Sequence, residues 1–211
     1  MIQSSLLSSI PSIRHAFTVK DDVGEDIRNS LILPRQTHSD QVTVISQTGR
    51  NVMSDGLITR MHHVPIGVVT ADCVPVLLAD LESGMVSAVH AGWRGTVENI
   101  VQKAVQSLIG MGSSTRSLRA AIGPSIKSCC YDIPPDRTQL FTEKFGTKTI
   151  VNTRGTDYID LQEINYRQLL EAGLSSDHVD VIDECTKCNT TYYSYRRGDR
   201  DKRMVSYIYR V

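Results

Sequence analysis

The chain has 211 residues, enough to bury the core of one domain, because roughly 70% of the unfolded surface leaves water at this size. Its 23 basic and 23 acidic residues cancel. No long-range field is therefore present to hold a nucleic-acid backbone or an anionic membrane, although a small anion pocket remains open. The longest apolar stretch, near Val64 to Leu81, is interrupted by Pro65, Asp72, Pro75 and Asp80 and excludes a membrane-spanning helix.

In chain order, Met1-Ile2-Gln3 and the serines that follow lack the basic opening and apolar run of a secretory leader. Gln41 to Ser46 alternates in β-branched residues and predicts a strand, as does the β-rich run Ile66 to Thr70. Met85 to His90 predicts a third, ending at Ala91-Gly92-Trp93-Arg94-Gly95, whose glycines indicate a tight functional loop. Val97, Ile100, Val101, Ala104, Val105, Leu108 and Ile109 then repeat at helical intervals, with Thr96 placed as the cap and Glu98 in the first turn. Leu118 to Ile122 is a strand closed by Gly123-Pro124. Pro134-Pro135 opens a helix through about Lys144, and Asp160 with Glu163 forms a capping box for a helix ending near Gly173. His178 to Ile182 and Met204 to Val211 complete the strands, the last with Val205, Tyr207, Tyr209 and Val211 on one face. There is no internal repeat or linker, so residues 1–211 are expected to form a single domain of α/β or α+β class.

Five cysteines are too few, and odd in number, for a disulfide framework; a reducing compartment is expected, by default the cytoplasm. Three segments each set one soft metal ligand beside turn residues: His38 in Gln36-Thr37-His38-Ser39, Cys73 after Ala71-Asp72, and His90 before Ala91-Gly92. Two imidazoles and a thiolate suit zinc and leave a fourth tetrahedral position open, as catalytic zinc requires. On residue type alone such a trio is more often packed core. His15, His62, His63 and His178 carry no role on this reading. Cys185-Thr186-Lys187-Cys188 has the spacing of half a zinc knuckle or of a thiol redox pair, but no second pair lies at matching distance, and the adjacent Cys129-Cys130 are expected to diverge on a strand or turn. Arg94 lies between Gly92 and Gly95 just before the helix, and Arg196-Arg197 and Arg200 to Arg203 form a basic run; each offers guanidinium to an anion.

Gln36-Thr37-His38, Asp55-Gly56-Leu57-Ile58-Thr59, Thr70-Ala71-Asp72-Cys73-Val74-Pro75-Val76, Val89 to Gly95, Ala121 to Ser125 with Cys129-Cys130-Tyr131, and Cys185-Thr186 with Tyr193 to Arg197 occur in this order. Together they resemble the YfiH-like family, also called the multicopper polyphenol oxidoreductase or laccase-domain family, from about Gln36 to the C-terminus. The resemblance implies an α+β fold of mixed β-sheets flanked by helices, a layered sandwich related to the cytotoxic necrotizing factor deamidases. It further implies a zinc site from His38, Cys73 and His90, and phosphorolysis of purine nucleosides (adenosine, inosine, methylthioadenosine), with deamination of adenosine in some members. The sequence departs from the family pattern in two places. His15 to Lys20 runs into Asp21-Asp22-Val23-Gly24 without the arginine and glycine-rich segment usual there, and Gly198-Asp199 and Lys202-Arg203 replace the pairs usual near the end.

On this basis the expected substrates are a purine nucleoside and phosphate, with Arg94 or Arg203 holding phosphate and Asp72 beside the thiolate as a proton-handling carboxylate. The expected assembly is a monomer or homodimer. The alternatives are a Cys73–His90 dyad for amide hydrolysis, a copper-dependent phenol oxidase, and a nucleoside-binding protein without turnover.

Overall fold

The computed structural model describes residues 1–20, 22, 24–46 and 52–211; Asp21 and Val23, in the shortened N-terminal segment, lie outside them. The elements are α1 (Ser5–Ser8), β1 (Ile13–Phe17), α2 (Glu25–Ser30), β2 (Val42–Ile45), β3 (Gly56–Thr59), β4 (Ile66–Thr70), β5 (Val74–Asp80), β6 (Val86–Ala91), α3 (Trp93–Val97) and α4 (Ile100–Gly110). The second half contributes β7 (Leu118–Ile122), β8 (Asp132–Ile133), α5 (Pro135–Phe145), β9 (Ile150–Thr153), β10 (Thr156–Ile159), α6 (Leu161–Glu171), β11 (Val179–Val181) and β12 (Met204–Arg210).

A six-stranded sheet in the order β11-β7-β5-β6-β3-β2 forms the middle layer; its outer pairs are parallel and its inner pairs antiparallel. Strand β5 is buried at all seven positions, with no polar alternation, because both faces of the sheet are covered. Val74, Val76 and Leu78 point into a core shared with Ile100, Val101, Ala104, Val105 and Leu108 of α4 and with α6. Leu77 and Ala79, from the opposite face, pack with Ile13, Phe17, Ile66, Val68 and Ile208 of an antiparallel second sheet, β1-β12-β4. A small third sheet, β8-β10-β9, completes the α+β sandwich expected from the resemblance. No helix among the described residues is long and apolar enough to cross a membrane.

The predicted strands and helices appear within a few residues of their expected limits, with one correction. The helix expected to start at Thr96 is two helices, broken at Asn99, whose φ of 59° is left-handed. Asparagine tolerates that region better than most side chains. Tertiary hydrogen bonds hold the break: Asn165 Nδ2 donates to the Thr96 hydroxyl (2.9 Å), and Gln168 Nε2 donates to the Thr96 carbonyl (2.8 Å) and the Asn99 side-chain oxygen (3.0 Å). Thr96 is thus inside a short helix rather than capping a long one. Strand β5 went unpredicted, because a run buried on both faces lacks period-two alternation.

Candidate metal centre and its cavity

The register of the middle sheet assembles the site at one end of three neighbouring strands. Pro75 pairs with His90, and Val74 with Ala91, so Cys73, one residue before β5, sits across from Gly92. Gly56 pairs with Val89, which sets Asp55 beside His90, and the His90 N–H donates to the Asp55 carbonyl at 2.7 Å. His38 comes from the loop before β2 with φ of 58°, a left-handed conformation that requires support from its surroundings.

That support is Asp55. Its wholly buried carboxylate accepts the backbone N–H groups of Thr37 (3.1 Å), His38 (3.1 Å) and Ser39 (2.7 Å), and the Ser39 hydroxyl at 2.7 Å. It also meets His90 Nδ1 at 2.8 Å. One carboxylate therefore shapes the His38 loop and orients the His90 ring, leaving Nε2 as the free nitrogen of that ring. Burial resists charge on Asp55, but the hydrogen bonds from His90 and Ser39 outweigh it and hold the carboxyl well below the usual range.

One ligand atom each from His38, Cys73 and His90 lies within 4.8 Å of the others, and the two imidazoles meet edge to face at 4.9 Å between ring centroids. Gly92 makes the approach possible: a Cβ there would lie 3.1 Å from His38 Cδ2 and 3.4 Å from Cys73 Sγ. Burial opposes ionisation of both Cys73 and His90. Their mutual attraction nevertheless dominates, with help from His38 on one side and Asp55 on the other: the thiol falls to about 6 and the imidazole rises to about 9. Each group thus favours the charged form of the other. The donor set, two imidazole nitrogens and a thiolate converging on one point, fits a divalent ion of borderline softness.

The trio opens into a cavity of about 560 Å³. Trp93, Ile126, Tyr131, Leu161 and Tyr195 give it apolar walls, and Arg137, Arg196 and Arg203 give it cations. The Arg137 guanidinium stacks on Trp93 at 4.2 Å, and its buried Nε has no hydrogen-bond partner among the described residues. Arg196 lies over Tyr131 and pairs with Asp132. Among the described residues, Arg203 donates to the carbonyls of Arg200 and Lys202.

Of the residues expected from sequence, His38, Cys73 and His90 come together and Arg203 lines their cavity, whereas Arg94 is exposed against Trp93 and does not. The carboxylate expected at Asp72 is elsewhere engaged: it accepts from the Thr186 hydroxyl (2.7 Å) and the Arg196 N–H (2.8 Å), docking the C-terminal loops beside Cys73. Asp55 takes the part of orienting carboxylate, and nothing in its local spelling distinguishes it from a turn aspartate. Arg137 was also missed, since an arginine in the first turn of a solvated helix carries no signal of its own.

A second donor cluster overturns the expectation for the remaining cysteines. The sulfurs of Cys129, Cys130, Cys185 and Cys188 all lie within 4.8 Å of one another. The adjacent pair does not diverge, because it sits in a tight turn closed by Cys130 N–H to Lys127 O (2.9 Å) and Tyr131 N–H to Lys127 O (2.9 Å), so successive side chains do not alternate as on a strand. The matching distance for the Cys185 pair is spatial: Ser125, four residues before Cys129, bridges to Cys185.

Residues 15–211 match the family model described as multi-copper polyphenol oxidoreductase laccase. The chain is 34% identical over 209 residues to a protein named adenosine deaminase RL5 from an unknown prokaryotic organism, covering 92% of this chain and 79% of that one. It is 34% identical over 182 residues to a purine nucleoside phosphorylase of Aquifex aeolicus, covering 86% and 83%. Among solved structures, Bacillus licheniformis hypothetical protein YfiH superposes with a TM-score of 0.76 at 31% identity, over 85% of this chain and 73% of that one.

Proposed function

The chain belongs to the multi-copper polyphenol oxidoreductase laccase family, and from that premise we propose that it is a zinc-dependent enzyme cleaving purine nucleosides with phosphate, with adenosine deamination as a second activity of the same centre. The observation that carries this reading is the convergence of His38, Cys73 and His90 at the wall of a cavity that is apolar and aromatic on some sides and cationic on others. Its volume falls in the range of small-molecule sites. The names borne by the two relatives, a phosphorylase and a deaminase, supply the substrate class.

His38, Cys73 and His90 would hold the ion, and zinc bound by three protein ligands supplies a Lewis acid and a water of lowered pKa. The remaining work falls to the chain's own groups. Trp93, Tyr131 and Tyr195 offer faces for a purine ring. Arg203 and Arg137, neither paired with a carboxylate among the described residues, hold phosphate, and Arg196 is partly neutralised by Asp132. Cleavage of the glycosidic bond builds positive charge on the sugar, and a phosphate fixed beside it stabilises that charge. Asp55 keeps the His90 ring in one orientation throughout. Zinc is assigned over copper because one three-donor centre lacks the histidine-rich cluster that four-electron oxygen reduction needs.

One observation favours a second reading, hydrolysis by a Cys73 nucleophile: ligand atoms of Cys73 and His90 lie within 4.8 Å of each other, and Asp55 meets His90 Nδ1 at 2.8 Å as an orienting carboxylate. Incubating the purified protein with inosine or adenosine, with and without phosphate, separates the two. Phosphorolysis requires base release only with phosphate, lost in His38→Ala. Base release without phosphate and rapid alkylation of Cys73 in the metal-loaded protein would assign the nucleophile instead.

A further inference from the structure

The four-cysteine cluster takes no part in that chemistry, yet its geometry is that of a site. A tetrahedral zinc with Zn–S bonds of about 2.3 Å has sulfur-to-sulfur edges of about 3.8 Å. Cys188 Sγ lies 3.7 Å from Cys129 Sγ and 3.4 Å from Cys130 Sγ. A disulfide needs about 2.05 Å and joins sulfurs in pairs. Here one sulfur is shared between two neighbours and a fourth lies within reach of all, the arrangement of ligands around a common point.

The backbone is built to match. Cys185 and Cys188 span a turn closed by Asn189 N–H to Cys185 O at 2.9 Å, which brings both sulfurs to the same side as those of Cys129 and Cys130.

We propose that Cys129, Cys130, Cys185 and Cys188 form a tetrathiolate zinc site, separate from the His38 centre, that fastens together two walls of the cavity. Binding replaces four thiol protons with one Zn²⁺, leaving a complex of charge −2 and four protons in solution. The walls follow directly from the chain. Cys130 precedes Tyr131, which lines the cavity, and between Cys185 and Cys188 lies Thr186, whose hydroxyl holds Asp72 next to Cys73. Arg197 Nη1 also donates to the Thr186 carbonyl at 2.9 Å, which ties the Cys185–Cys188 turn to the loop carrying Arg196. The assignment does not depend on the nucleoside reading.

The test uses the full chain with the other centre removed. His38→Ala/His90→Ala protein, dialysed free of loose metal, should keep one zinc per chain. Cobalt in its place should give the intense sulfur-to-metal charge-transfer bands of four thiolates. Adding Cys129→Ser and Cys188→Ser should abolish both signals. Because the combined variant can fail to fold, the wild type serves as a second measurement: an organomercurial titrating its thiols should release two zinc ions per chain to a metallochromic dye, one more than the Cys73 centre can hold, with all four of these cysteines labelled; release of one or none would contradict the proposal. Retention of no metal by the His38→Ala/His90→Ala protein, iron in place of zinc, or a Cys130–Cys188 disulfide in the wild type as purified under reducing conditions would each overturn the proposal.

Discussion

The two donor clusters in this molecule are built in opposite ways. Cys73 and His90 sit at strand ends of the middle sheet and His38 in the loop before β2, and Asp55 fixes one ring and one loop with its own hydrogen bonds before any ion is considered. Cys129, Cys130, Cys185 and Cys188 lie in turns, with Cys129 and Cys188 exposed, and a ladder between Ser125 and Glu184 to Thr186 is their main frame. A site that keeps one coordination position free needs its ligands placed by the protein, since the ion alone would recruit a fourth. A closed site of four identical ligands is organised largely by its ion.

The largest effect that sharpens this contrast is expected from Cys73→Ala. Loss of the mixed centre should lower turnover roughly a thousandfold, since a catalytic metal contributes several kcal/mol to the transition state. Melting temperature should change little. Steady-state kinetics and calorimetry on the same sample check both. Asp55→Asn is expected to lower metal affinity or activity about 10- to 100-fold while all three donors remain, which a competition titration against a chelator measures. An unchanged affinity would mean that the mixed centre, like the other, is organised by its ion. Gly92→Ala follows: its φ of −73° is ordinary, so the backbone tolerates the change, but the new methyl crowds His38 and Cys73. Metal affinity should fall at the mixed centre and stay constant at the four cysteines.

The mixed centre was legible through the family motifs in which its three ligands stand, since on residue type alone the trio reads more readily as packed core. The sulfur cluster was not, though its four residues were equally visible. Adjacent cysteines are expected to diverge on a strand or turn, yet the particular turn at Lys127 to Tyr131 brings both sulfurs to one point. Asp55 and Arg137 were hidden for a different reason, because their importance comes from sheet register and from stacking on Trp93, neither of which is local. The fold followed a similar line. Helices with a cap or a proline start, such as α5 and α6, were legible, whereas β5 and the break at Asn99 depend on what packs against them.

The smallest expected effect gives a baseline for acid release of metal from either cluster. His15 is buried and accepts the Ser4 N–H at Nε2 (2.9 Å). Burial, only partly offset by Asp180, lowers its pKa from 6.5 to about 4. Between those values the unfolded chain binds a proton that the folded chain excludes, so this residue's contribution to stability is full above about pH 6.5 and declines as pH falls toward 4. Thermal melting of metal-free protein from pH 7 to pH 4.5 should show that decline, reduced in His15→Gln.

The central claim, that two imidazoles and one thiolate share an ion with one position left open, is tested most directly by a zinc-edge anomalous difference map from crystals of the full chain. The expected result is a peak about 2.0 to 2.3 Å from His38, Cys73 Sγ and the free nitrogen of His90, with its fourth ligand a water or a solute. No peak between these three residues, or a fourth protein side chain bound to the ion, would contradict it.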